Sequence, residues 1–190
     1  MSEEVRRPFA GFPFLAKLVG AAFLDGKTYE DIANDRTTIA QAIIVVVLAG
    51  LARALGTGHI TQVLPFYVFI WCVSWATWVL IIYLVSTVVF NLNSLKQRFF
   101  KIDDVEPDWT RLIKTSGFAQ VPLIFTVFGS INELGTFLFI MFSIITLWQF
   151  VTMTIAAKHA IRFKSAIHAS IIVASGFICS LAIQSAEFFL

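Results

Sequence analysis

Four apolar runs dominate this chain: Ile39 to Leu55, Leu64 to Phe90, Phe137 to Ala157 and Ala169 to Leu190. Each reaches the roughly 17 to 25 residues that carry an α-helix across a bilayer. A chain of 190 residues cannot build a core wide enough to hide several such runs from water, so lipid must be the solvent for most of it. Within hydrocarbon every backbone polar group has to bond internally, and runs of this length do so as helices. The composition agrees, with 58% hydrophobic and 14% charged residues, where soluble domains carry about 25% charged. The expected fold class is all-α, a polytopic transmembrane helical bundle.

A fifth apolar stretch, Phe118 to Ile131, is shorter. It becomes a span if Arg111 and Lys114 snorkel to the headgroups and let the helix start near Trp109. The distribution of basic residues favours that reading. With five spans, Arg6, Arg7, Lys17, Lys27, Arg36, Lys96, Arg98, Lys101, Arg111, Lys114, Lys158, Arg162 and Lys164 all lie on the cytoplasmic side, and only Arg53 lies toward the other. The expected organisation is a cytoplasmic segment over residues 1–37 and five spans near 39–57, 64–90, 112–131, 136–157 and 168–190. The N-terminus is cytoplasmic and the C-terminus outside. Before the first span, Gly11, Phe14, Leu15, Leu18, Ala22 and Phe23 recur at helical spacing. They predict an amphipathic helix that lies in the membrane interface or caps the bundle, with Thr28 to Asp31 as a capping box.

The polar residues assemble no catalytic or metal constellation. Asp103, Asp104, Glu106 and Asp108 form the densest carboxylate cluster, but they have no second acidic set to face, so a solvated loop is expected. His59, His159 and His168 lack a metal-ligand spacing. Ser74, Ser86, Ser143, Ser170 and Ser175 have no histidine in their spans, and interhelical hydrogen bonding is their expected use. Cys72 and Cys179 lie in apolar runs and read as packing residues. Trp71, Trp75 and Trp78 share one helix face and read as a packing stripe. Ala166, Ser170 and Ala174 form a small-residue ridge for close helix approach. No catalytic residue, metal ligand or cofactor is expected, and the net charge of +2 gives no case for nucleic acid.

At Arg111 to Pro122 the chain reads RLIKTSGFAQVP, a basic helix start followed by glycine, an aromatic and a proline. This segment resembles the third span of the YIP domain family, the Ypt/Rab-interacting membrane proteins. The apolar stretch Pro8 to Phe23, the sequence AGLARALG at Ala49 to Gly56, the basic second-to-third loop and the order of five spans extend the likeness. The resemblance implies a five-span bundle with a cytoplasmic N-terminus and no established enzymatic activity. Only about 37 residues precede the first span, and the family's N-terminal Asp-Leu-Tyr-Gly-Pro motif is matched no better than by Leu24 to Tyr29. That leaves Rab-type GTPase binding in doubt and points to the compact bacterial branch, hence a bacterial plasma membrane. Gly117 and Pro122 carry physical meaning of their own, close backbone approach and a kink.

The expected function is therefore a non-enzymatic membrane protein acting by lateral association, as a membrane organiser or an accessory subunit. Its expected partners are the bilayer and a membrane protein or a second copy of itself. The competing expectation is a small transporter component with a path between the third and fourth spans, lined by Gln120, Asn132, Gln149 and Thr152. Arg111, Lys114, Lys158, Arg162 and Lys164 are the expected basic residues at the membrane interface.

Overall fold

A computed structural model describes residues 12–57, 64–92, 106–130 and 135–185. The helices are α1 (Pro13–Ala22), α2 (Gly26–Asn34), α3 (Thr38–Gly56), α4 (Leu64–Asn91), α5 (Trp109–Phe118), α6 (Gly135–Ile161) and α7 (Ala166–Ser185). A 3-10 helix, Val121–Ser130, continues α5. Among the described residues, four helices are long and apolar enough to cross a membrane: Thr38–Gly56, Leu64–Asn91, Trp109–Ser130 and Phe137–Ile161. His59, Asp103, Asp104 and Asn132 lie outside the described residues.

The segment least obvious in the sequence is the innermost one. Trp109–Ser130 is 72% buried, against 28% for α4 and for α6. It packs on α3, α6, α2 and α1, so Thr115, Ser116 and Gln120 meet protein instead of lipid. That explains its low hydropathy, because a helix shielded by its neighbours does not need an apolar surface.

Backbone proximity fixes its position. A Cβ added at Gly117 would lie 2.6 Å from the Ala42 Cβ, so α5 and α3 touch where neither has bulk. One turn later Pro122 removes an N–H, and the chain continues as the narrower 3-10 form. This brings Gly129 and Thr126 against the backbone of Gly56. The kink expected at Pro122 is thus a change of helix type.

Two apolar clusters hold the bundle. The larger joins Tyr29, Ile32, Val45, Trp78, Ile82, Leu112, Phe118, Met153 and Ile172. The smaller, Val46, Ala49, Trp71, Leu123 and Ile145, lies toward the C-terminal end of α3. There the Arg53 guanidinium stands 5.2 Å from the Trp71 ring centroid, which gives this one basic residue of the opposite end a cation–π partner.

The N-terminal helix packs on the bundle with one face. Phe14 meets Phe118 edge-on at 6.0 Å, and Ala21 and Ala22 are buried, while Phe12, Leu15 and Phe23 stay exposed. Its end turns sharply through Leu24, whose φ is 62°, with Asp25 N–H donating back to Gly20 O. Asp25, and not the expected Thr28, is the N-cap of α2. Its carboxylate accepts from the N–H groups of Lys27 and Thr28 and from the Thr28 hydroxyl at 2.6 Å. Thr28 is already inside the first turn, where its own side chain supports the cap.

Candidate functional site

Three polar side chains at the α5–α6 contact, Gln120, Gln149 and Thr152, are hydrogen-bonded across it. Gln149 Nε2 donates to Gln120 Oε1 at 2.9 Å across the α5–α6 contact, and Gln120 Nε2 donates to Ser116 O. Thr152 donates to Ala119 O at 2.8 Å, the carbonyl released where α5 gives way to the 3-10 turn. Gln120 and Thr152 have no solvent-accessible surface, so no water-sized space adjoins them.

The serines act more locally than expected. Ser86, Ser143, Ser170 and Ser175 donate to carbonyls of their own helices, and only Ser74 reaches across, to Ser180 O. A hydroxyl three or four residues from a helix carbonyl finds that acceptor without any tertiary contact. Two tryptophans add cross-helix bonds. Trp78 Nε1 donates to Val173 O and Trp148 Nε1 to Ala22 O at 2.9 Å. The buried face of α7 runs through Ala169, Ile172, Val173 and Ser180, while Ala166, Ser170 and Ala174 are only half-buried. The expected ridge lies beside this most buried face.

At the end of the bundle where α2 docks, charged side chains surround a cavity of about 320 Å³. Glu30 and Asn34 come from α2, Arg111 from α5, and Lys158, His159, Arg162, Phe163 and Lys164 from the end of α6 and the turn beyond it. Each is positioned by local structure. Asp108 caps α5 through the N–H groups of Thr110 and Arg111, so this member of the acidic cluster serves as a helix cap. Arg111 Nη1 donates to Asn34 Oδ1 at 2.8 Å, tying α5 to the end of α2. His159 stacks on Tyr29 with 6.5 Å between ring centres, and burial pushes the Tyr29 phenol well above its ordinary pKa. Arg162 has a φ of 62°, and Phe163 N–H closes the turn onto Lys158 O. Lys158 and Arg162 thereby stand on either side of one helix end.

Lys114 does not extend to the headgroups. It is 5% exposed and its Nζ donates to Ala33 O, where an ammonium meets the negative end of α2. Arg111, Lys158, Arg162 and Lys164 do meet, around the cavity. Gly117 is at the α3 contact, and Pro122 is buried in the 3-10 segment. The contribution of α2 was not anticipated, although Tyr29, Ile32 and Ala33 fall at i, i+3 and i+4 and are all buried. That short apolar face is the signal that docks α2 and turns Glu30 and Asn34 toward the cavity.

On the lipid-facing side, Phe139, Phe142, Ser143, Thr146, Leu147, Phe150 and Phe177 line an open groove of about 590 Å³ between α6 and α7. The hydroxyls of Ser143 and Thr146 are bonded to Phe139 O and Phe142 O, so the groove offers mainly hydrocarbon. Among the described residues, no group of three or more His, Cys, Asp or Glu could hold a metal ion. No family model, curated protein or solved structure matches the chain.

Proposed function

We propose that this chain is a five-span, non-enzymatic integral membrane protein that acts by lateral association, as a membrane organiser or an accessory subunit of a larger complex. The observation that carries this reading is the paired interior: Gln120, Gln149 and Thr152 bond to one another's segments and expose almost nothing. With these three side chains engaged at the α5–α6 contact, the outer faces remain for interaction, and the aromatic groove between α6 and α7 suits an apolar helix.

The fifth span in this reading is α7. Its 20 residues rise about 30 Å at 1.5 Å each, the thickness of a bilayer's hydrocarbon core. A cytoplasmic N-terminus is in keeping with the positive-inside rule, since four cationic residues gather at the α2 end while Arg53 is at the opposite one. We place the chain with the compact bacterial branch of the YIP domain family, on the strength of Arg111 to Pro122 and the span order, and so in a plasma membrane. A transport path between α5 and α6 gains no support from side chains that bond to each other across that contact.

Native mass spectrometry of protein extracted gently from its own membrane tests the reading. A stable complex with protein subunits, or a defined homo-oligomer, is the expected result. A monomer with no protein partner at any detergent strength would overturn it.

A further inference from the structure

Among the described residues, the cavity at the α2 end is lined by more cations than carboxylates: Arg111, Lys158, Arg162 and Lys164 with Glu30. The Asp108 charge also acts on Arg111 and the Asp25 charge on His159. Arg111 spends one N–H on the neutral amide of Asn34. A guanidinium fork matches phosphate oxygens in geometry as well as charge. At about 320 Å³ the cavity reaches the lower end of the roughly 300 to 1,000 Å³ typical of small-molecule sites, large enough for a phosphorylated headgroup and more than a lone halide needs.

We infer that this cavity binds a phosphate-bearing anion, with Arg111, Lys158 and Arg162 as its ligands. Arg111 comes from α5, which packs among the other helices; Lys158 and Arg162 come from the α6 end and its turn. Bound phosphate therefore bridges α5 and the end of α6, two elements that α2 also contacts. The phosphate is that of an anionic lipid headgroup or of a soluble phosphate compound, and the two share this chemistry. Glu30 sits opposite and limits the affinity. The site is independent of any protein docked on the α6–α7 groove.

The full chain in mild detergent, titrated with phosphatidylglycerol, phosphatidylcholine or inorganic phosphate and followed by native mass spectrometry, tests this. One phosphatidylglycerol should be retained per chain in preference to phosphatidylcholine. Each neutralised cation should weaken retention about fivefold, so Lys158→Gln with Arg162→Gln lowers it by more than tenfold, while Arg53→Gln at the other end leaves it unchanged. Glu30→Gln removes an exposed carboxylate at little risk to folding and should tighten binding. If millimolar inorganic phosphate displaces the lipid, the ligand is a soluble phosphate compound; if it does not, the ligand is the lipid headgroup. Equal retention of both lipids with no binding of inorganic phosphate, or pocket variants that behave as Arg53→Gln does, would overturn the proposal. A monomeric chain that still retains phosphatidylglycerol would sink lateral association and leave this site standing.

Discussion

Arg162 occupies a left-handed backbone conformation, φ 62°, at the turn after α6 where glycine is the usual residue. An L side chain there costs about 1–2 kcal/mol, and a cation set among the other cations of the cavity does not offset that cost while no anion is bound. Arg162→Gly should therefore raise thermal stability in ligand-free detergent by about 1 kcal/mol, after allowance for the looser unfolded chain. A fall in melting temperature would show that Arg162 is held by contacts of its own. Asp35 gives a second test at this scale. Its bond to Lys17 at 2.6 Å, with help from Thr37, holds its carboxyl below the usual carboxylate range. Because the folded value is depressed, the stabilisation is present above the unfolded pKa of about 3.9 and is lost as pH falls through the folded value. Asp35→Asn should lower stability near neutrality by no more than about 1 kcal/mol, since the pair is partly exposed, and the difference from the unaltered protein should vanish in strong acid. A constant difference across that range would assign the effect to packing. The sequence shows which residues are basic and acidic but not what they face. Lys114 and Asp108 read as interface and loop residues, and both turn out to serve helix ends, because a cap is chosen by where a neighbouring helix stops.

The central element, α5 with its 3-10 continuation, depends on small residues and on one amide pair. Adding a methyl at Gly117 brings it to 2.6 Å from Ala42 Cβ and 2.9 Å from Ala42 O. Gly117→Ala should cost about 1–3 kcal/mol by overpacking. Ala42→Gly should restore only part of it, since the carbonyl remains in the way; full rescue, or no cost at all, would mean that the contact is looser than described. For the amide pair, Gln149→Ala leaves the buried Gln120 Oε1 without its donor and should cost about 1–3 kcal/mol. Replacing both glutamines by methionine should be close to neutral, because no polar group is then stranded. A double variant as unstable as the single one would point to a role beyond mutual satisfaction. The lengths of α3, α4 and α6 were legible from their apolar runs, since hydropathy reports contact with lipid directly. The burial of Trp109–Ser130 was not, because a span wrapped by protein escapes the selection for apolar surface that makes the others visible. The buried face of α7 was not legible either: small residues at four-residue spacing mark possible approach without saying which neighbour is approached, and it is Val173 O that meets Trp78 Nε1.

At the scale of the molecule, the structure combines an amide pair in its interior with two outward features, a cavity lined mainly by basic residues at the α2 end and an aromatic groove along α6 and α7. The cavity was half legible: Lys158, Arg162 and Lys164 stand out in the sequence, while Glu30 and Asn34 join them only through the docking of α2. The groove was not legible, because phenylalanine is abundant throughout the chain, at 20 residues, and composition cannot say which rings share a hollow. Lateral association is tested most directly in the native membrane, with a photo-crosslinking residue at Leu147 in the groove and, as control, at Ile44 on the exposed face of α3. The account predicts protein adducts of defined mass from Leu147 and lipid adducts alone from Ile44. Lipid adducts alone from both positions would contradict it.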